Sequence, residues 1–347
     1  MTSASATAPT DPAVEAGRVG RRFQRRWVVG AVISAFFLWV AFRQVSDVGR
    51  LASALGQANY WWLIPAVLLY LCDLGARTLR WRILLQPVVR VPARALFGTL
   101  TIGFLVNNVL PARLGEIARA VLAGRRFGVS RSAALATVVV ERIFDGIVML
   151  LFLGLAVLVA GSRVASDWVA LLVPITAAAF GGAAVVLALL ALAPHLALGV
   201  AARLLAPFPA RLREAALDAA EKFIAGLGVL NDVKLAAAVL ATSILAWGLE
   251  GAVYVAVGQA FGLTDAPGAY LLPLAVANLG TMIPSSPGYV GTFDALVQRA
   301  MAVFAVPDAE ALAYAFVLHI AIWLPPTLIG FFFLARYNLS LSRITRD

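Results

Sequence analysis

Four runs of the chain, at about residues 133–160, 168–193, 235–263 and 309–335, stay apolar beyond the roughly 20 residues that a helix needs to cross a bilayer. Two more precede them: "WVVGAVISAFFLWVAF", which begins at Trp27, and the stretch near residues 60–81, which opens on the aromatic belt "NYWW". Hydrocarbon offers no partner to backbone N–H and C=O groups, so runs of this kind must close their own hydrogen bonds as helices. The make-up of the chain agrees, at 62% hydrophobic and 13% charged residues with a mean hydropathy of +0.90, far above soluble domains. The expected class is an all-α polytopic membrane protein.

Arginines orient the runs. Arg18, Arg21, Arg22, Arg25 and Arg26 precede the first; Arg77, Arg80, Arg82, Arg90 and Arg94 end the second; Arg336, Arg343 and Arg346 follow the last. The net charge of +10 therefore sits between the spans, as the positive-inside rule and an anionic inner leaflet demand, and not on a face suited to nucleic acid. Both termini are expected in the cytoplasm and the chain in the cytoplasmic membrane. Residues 1–26 read as a disordered basic tail, 27–336 as the membrane domain and 337–347 as a second tail. Within the domain, Leu212, Ala216, Ala219, Phe223, Leu227 and Leu230 mark one amphipathic helix over about 196–232 on the inner surface. A shorter one, "DVGRLASALGQA", is expected on the outer surface with Asp47 as its N-cap.

Two segments decide the architecture. Residues 95–124 start and finish beside basic loops yet are too short for two crossings and a turn at 1.5 Å per residue, so they are expected to enter and turn back with "NNVLPARLG" at the tip. Residues 269–305 repeat the design around "PSSPGYVG", between flanks that hold acids and no basic residue, and are expected to enter from the opposite face. The reading is six spans plus two re-entrant helical hairpins arranged as an inverted repeat. Its rival makes 269–286 and 288–306 full spans, which raises the number of transmembrane helices to eight.

The polar residues inside this frame carry the functional signal. Asn107 and Asn108 can bond backbone groups freed at the first break, where Pro111 and Gly115 permit the turn. Glu141, Arg142 and Asp145 lie roughly 15 Å into their span, where each charge costs about 2.5–3.5 kcal/mol. Asp73 and Arg77 are spaced to pair, and Glu250 and Asp294 add acids in the other half. Structural salt bridges are one reading; a charged pathway between the halves is the favoured one, because buried pairs stabilise weakly. On that reading, Glu141→Gln or Asp145→Asn reduces activity and spares stability. Neither a cofactor nor a metal is expected: Cys72 reads as core packing, His195 and His319 as satisfied or interfacial, and no nucleotide loop, HExxH or CxxC occurs.

The blocks "NNVLPARLGEIARA", "RSAALATVVVERIFDG" and "PSSPGYVGTFDA" resemble, in order and spacing, those of the lysylphosphatidylglycerol synthase transmembrane family, or flippase-like domain proteins. That family includes the flippase portion of the multiple peptide resistance factor, and the resemblance covers nearly all of the chain after Arg26. It implies a membrane module that moves phospholipids or lipid-linked molecules between leaflets. The full synthases add a soluble aminoacyl-transferase domain, which is not expected here because the chain stops about a dozen residues after its last span. The resemblance marks Asn107, Asn108, Arg113, Glu116, Arg119, Glu141, Arg142 and Asp145 in the first half. In the second it marks Pro284, Ser285, Ser286, Pro287, Gly288, Gly291 and Thr292, and members often carry Glu where this chain has Asp294.

Residue chemistry and resemblance together give a working mechanism. A lipid headgroup binds Arg113, Arg119 or Arg142 between the hairpins, while Glu116, Glu141 and Asp145 compensate the arginines when the site is empty or engage a cationic headgroup. The partners are membrane phospholipids or a lipid-linked substrate, with a homo-oligomer left open. The alternatives are a membrane-embedded lipid-modifying transferase that uses the same carboxylates as a base, and an accessory subunit in cell-envelope glycolipid assembly.

Overall fold

A computed structural model describes residues 31–45, 47–110, 114–161, 167–263, 266, 268–281 and 287–340. The basic tail, Pro111, Arg113 and Pro284 to Ser286 lie outside the described residues, as do positions 341–347. Regular structure among the described residues is helical throughout. Five helices are long and apolar enough to span: α3 (Leu63–Leu85, entered through a 3-10 turn at Tyr60–Trp62), α6 (Arg131–Ala160), α7 (Asp167–Leu192), α10 (Val233–Ala260) and α13 (Asp308–Arg336). The pair α1 (Ala31–Gln44) and α2 (Val48–Gln57) is bent by 93° and counts as a sixth only if both helices belong to one broken span.

Local chemistry sets the ends. Asp47 caps α2 by accepting the N–H groups of Gly49 and Arg50 at 2.8 and 3.2 Å, as its sequence predicts. Ser130 does the same for α6 at 3.1 Å, and Asp232 for α10 at 2.8 Å. The amphipathic segment is two helices, α8 (Pro194–Leu204) and α9 (Ala210–Gly226), and not one. Pro207 and Pro209 explain the break, since each removes an N–H and holds its preceding residue extended. The expected stripe is real at the end of α9 and in the 3-10 turn after it (Gly228–Asn231), where Phe223, Leu227 and Leu230 share a core cluster with Leu84, Leu85, Ala133 and Ala136. Cys72 departs from expectation: it faces outward from α3 instead of packing in the core.

Contacts fix the relative directions. Trp81 near the end of α3 donates to Thr137 near the start of α6 at 3.2 Å, while the Asn59 N–H before α3 donates to Ala260 at the end of α10 at 2.7 Å. The end of α3 and the starts of α6 and α10 therefore share one end of the bundle. The hairpin α4 (Ala93–Val109) and α5 (Leu114–Phe127) is antiparallel, because Arg126 reaches Thr99 at 3.3 Å, and the last turn of α13 packs on Gly98 at the start of α4. This end carries Arg82, Arg90, Arg94, Arg125, Arg126, Arg131 and Arg336.

The second hairpin, α11 (Leu271–Gly280) and α12 (Thr292–Ala302), connects the far end of α10 to the far end of α13. At 10 and 11 residues its described arms reach about 15 Å each, half a bilayer core, the length that the re-entrant reading requires. Two hairpins thus enter the bundle from opposite ends.

Candidate functional site

The hairpin tips meet. Asn108, the next-to-last residue of α4, donates through Nδ2 to the Trp323 carbonyl at 3.2 Å and to Thr327 Oγ1 at 2.8 Å. Trp323 lies about 20 Å from either end of α13, next to Pro325 and Pro326, which remove two helical N–H donors there. From the other side comes the turn Pro287–Tyr289. A Cβ on Gly288, whose φ is +68°, would stand 2.7 Å from Trp323 Nε1 and 3.3 Å from the Asn108 carbonyl. Gly291, at φ +84°, lets the same tip lie against Ser34 of α1, whose hydroxyl donates to the Val290 carbonyl. Both glycines hold backbone conformations that L residues disfavour.

The first hairpin closes on two further glycines. The Gly115 N–H donates to Asn107 Oδ1 at 2.7 Å, so the first asparagine satisfies a donor at the start of α5, as the sequence reading expects. A Cβ on Gly115 would collide with the Gly103 carbonyl, and one on Gly103 with the stem of Arg119. Close backbone approach is what admits Arg119 to the interior.

Arg119 joins a buried network from four helices. Its two terminal nitrogens clamp Glu141 at 3.0 and 2.8 Å while its guanidinium lies 4.2 Å over the Trp81 ring. Glu141 also receives Arg142 at 2.6 Å and Arg80 at 3.1 Å. Asp145 takes Arg80 at 2.5 Å, the Trp247 indole N–H at 2.6 Å and Arg142 at 3.0 Å. Arg77 pairs with Asp73 at 2.8 Å, as the spacing predicts, and reaches Glu250 at 2.6 Å. Asp73, Arg77, Arg80, Arg119, Glu141, Asp145 and Glu250 are all at most 5% exposed, whereas the side chains of Arg142 and Glu116 are 30% and 24% exposed.

Between network and tips lies a cavity of about 380 Å³, lined by Arg77, Asn107, Asn108, Glu116, Arg119, Arg142, Asp145 and Glu250 from the expected set. Tyr70, Trp247, Asn278, His319 and Trp323 also line it and carry no expectation as site residues. Arg80 is the largest omission, because a sequence reading places it among flanking arginines. Its position three after Arg77 and seven after Asp73 puts it on their helical face, away from exposed Arg82. Asp294 stands apart from the network: it accepts the Gly291 N–H at 2.7 Å, capping α12, and pairs with His319 Nδ1 at 2.9 Å. His319 Nε2 donates to the Gly288 carbonyl at 2.7 Å, so this histidine is satisfied, as expected, and it holds the second tip. Thr292 is fully buried behind it. No group of three or more His, Cys, Asp or Glu among the described residues has metal-binding geometry.

A family model and one relative match this chain along most of its length, and a second relative matches part of it. The family model described as lysylphosphatidylglycerol synthase TM region covers residues 27–330. A protein of Haloferax volcanii named glycosyltransferase AglD is 28% identical over 304 residues, which cover 79% of this chain and 48% of that protein. A UPF0104 membrane protein of Methanothermobacter thermautotrophicus is 35% identical over 100 residues, 28% of this chain and 30% of that protein. The chain thus spans about half of the first relative's length and under a third of the second's.

Proposed function

Because the chain belongs to the lysylphosphatidylglycerol synthase TM-region family, we propose that it translocates a phospholipid or lipid-linked headgroup between the leaflets of the cytoplasmic membrane. The observation that carries this reading is the meeting of two oppositely entering hairpins at a polar cavity halfway along α13. Irregular backbone at that depth needs protein or enclosed water beside it, and one shared cavity serves both tips. Arg142 is the residue we assign to the headgroup. It is the arginine of the network with a partly exposed side chain, whereas Arg119 is clamped on both sides by Glu141 and Trp81. The arginine-rich end faces the cytoplasm on this reading, and rocking of one half against the other moves the cavity's opening between leaflets.

Arg142→Gln tests the assignment. Glu141 keeps Arg119 and Arg80, so the variant should fold and melt close to wild type. A charge-assisted bond to a phosphate contributes about 1.5–3 kcal/mol, so leaflet exchange in proteoliposomes should fall by roughly 10- to 100-fold. Wild-type exchange in the variant would remove Arg142 from the pathway.

The resemblance to a protein named as a glycosyltransferase supports a second reading, a membrane component of glycolipid assembly. The same liposomes separate the two. Exchange without any added donor favours translocation, and a change in lipid mass on adding a glycosyl or aminoacyl donor favours the enzyme.

A further inference from the structure

The charges around the cavity fall into two lobes: in one the arginines and carboxylates balance, and in the other a carboxylate is in surplus. In the surplus lobe, Arg77 alone serves two carboxylates: its Nε bonds both oxygens of Asp73, and its Nη2 bonds Glu250. In the balanced lobe, Arg80, Arg119 and Arg142 share Glu141 and Asp145, with Glu116 3.9 Å from Arg142 at the rim. Trp247 connects the lobes, since its ring lies 4.3 Å from the Arg77 guanidinium and its indole N–H donates to Asp145. We propose that Glu250 is a proton-binding site, and that one proton loads there together with an anionic headgroup in the arginine lobe. This rests on the translocation reading and names its coupling ion.

The choice of Glu250 over Asp73 is geometric. Asp73 is fully buried, bonded through both oxygens and absent from the cavity wall. Glu250 lines the cavity, and its second oxygen has a long 3.4 Å contact with the Asn278 amide. The groups that face Glu250 are Tyr70, Asp73 and Arg77 on α3, Asp145 on α6, Trp247 and Tyr254 on α10, and Asn278 on α11. Arg77 is the one cation among these described residues, so an ionised Glu250 leaves a negative charge without a counterion at membrane depth. The step is a transfer of H⁺ from hydronium in the cavity to the carboxylate: one O–H bond of hydronium breaks, one forms on Glu250, and the products are a water and a neutral carboxylic acid. A monoanionic headgroup held by the arginine lobe then travels with its own compensating proton. Each ligand raises the affinity for the other by the same factor.

The experiment uses full-length protein in vesicles of phosphatidylethanolamine and phosphatidylglycerol, with a fluorescent phosphatidylglycerol as probe. Exchange should accelerate as pH falls between about 8 and 5, by at most about tenfold per unit for a one-proton step, and Glu250→Gln should flatten this to under about twofold. Infrared difference spectra of the purified protein between the same pH limits should show a carboxylic-acid band. That band should be lost in Glu250→Gln and kept in Asp73→Asn. If exchange proceeds without pH dependence and no such band appears, the proton site is overturned while translocation stands. If the Glu250 band is present and no lipid exchanges, translocation is overturned while the proton site stands.

Discussion

Glu141→Ala should fail to accumulate as folded protein. Glu141 answers three guanidinium groups, and Arg119 and Arg80 among them are almost wholly buried. Removing one member of a buried ionic network leaves an uncompensated charge and costs about 3–5 kcal/mol, a large share of a typical stability. Arg119 is the group left worst placed, since Glu141 supplies both of its charge-assisted hydrogen bonds. Glu141→Gln keeps a hydrogen-bonding group but not the charge, so it should also melt well below wild type. This outcome differs from the sequence-based expectation that neutral substitution at this position spares stability, and the melting point of Glu141→Gln decides between them. Combining Glu141→Leu with Arg119→Leu should recover part of the loss, because a matched apolar pair avoids the stranded charge. Fluorescence-detected size exclusion after heating would report each variant. A melting point for Glu141→Ala within a few degrees of wild type would show that water, and not Glu141, satisfies these arginines.

The second large effect is expected at Gly115, where alanine should be enough to open the first hairpin. The added Cβ would meet the Gly103 carbonyl and stand 2.6 Å from Asn107 Oδ1, and backbone cannot swing aside as a flexible side chain does. Separating α4 from α5 breaks the Gly115 to Asn107 bond and draws Arg119 away from Glu141, so one methyl group acts on the whole network. Overpacking of this kind costs about 1–3 kcal/mol before the lost ion pair is counted. Two helical glycines in the same chain supply the control. Gly75 and Gly154 have nothing within 4 Å of a built Cβ, and alanine at either should leave stability unchanged or raise it by about 0.5–1 kcal/mol. Equal melting of Gly115→Ala and Gly75→Ala would mean that the two arms do not cross at these glycines.

The sequence reveals the frame of this molecule more readily than its interior. Apolar runs above bilayer length, with arginines between them, locate α3, α6, α7, α10 and α13, because hydrophobic length is a local property. The hairpins follow from arithmetic on chain length. Asn107 and Asn108 can be read as satisfying broken backbone, since few other roles suit paired amides at that depth. Partner identity is another matter. Nothing local says that Arg80 turns inward while Arg82 does not, apart from helical phase. His319 is eleven residues past the start of an apolar helix and 25 from its partner Asp294. Cys72 could point either way because α3 has one face toward lipid and one toward Asp73 and Arg77. The break between α8 and α9 was visible in Pro207 and Pro209, and the continuous apolar stripe concealed it.

Two hairpins enter from opposite ends and touch at a cavity halfway along α13. Cysteine pairing measures this directly in a Cys72→Ser background. Asn108→Cys combined with Pro287→Cys or with Tyr289→Cys should oxidise to a disulfide or join through a short bifunctional reagent, since a direct bridge needs Cα atoms within about 7 Å. Substrate lipid should change the yield, because moving the cavity's opening shifts one tip against the other. The opposite result is equally specific. If neither pair joins, and impermeant maleimide labels position 108 from one side of the membrane and positions 287 and 289 from the other, the tips are surface loops and no shared cavity exists.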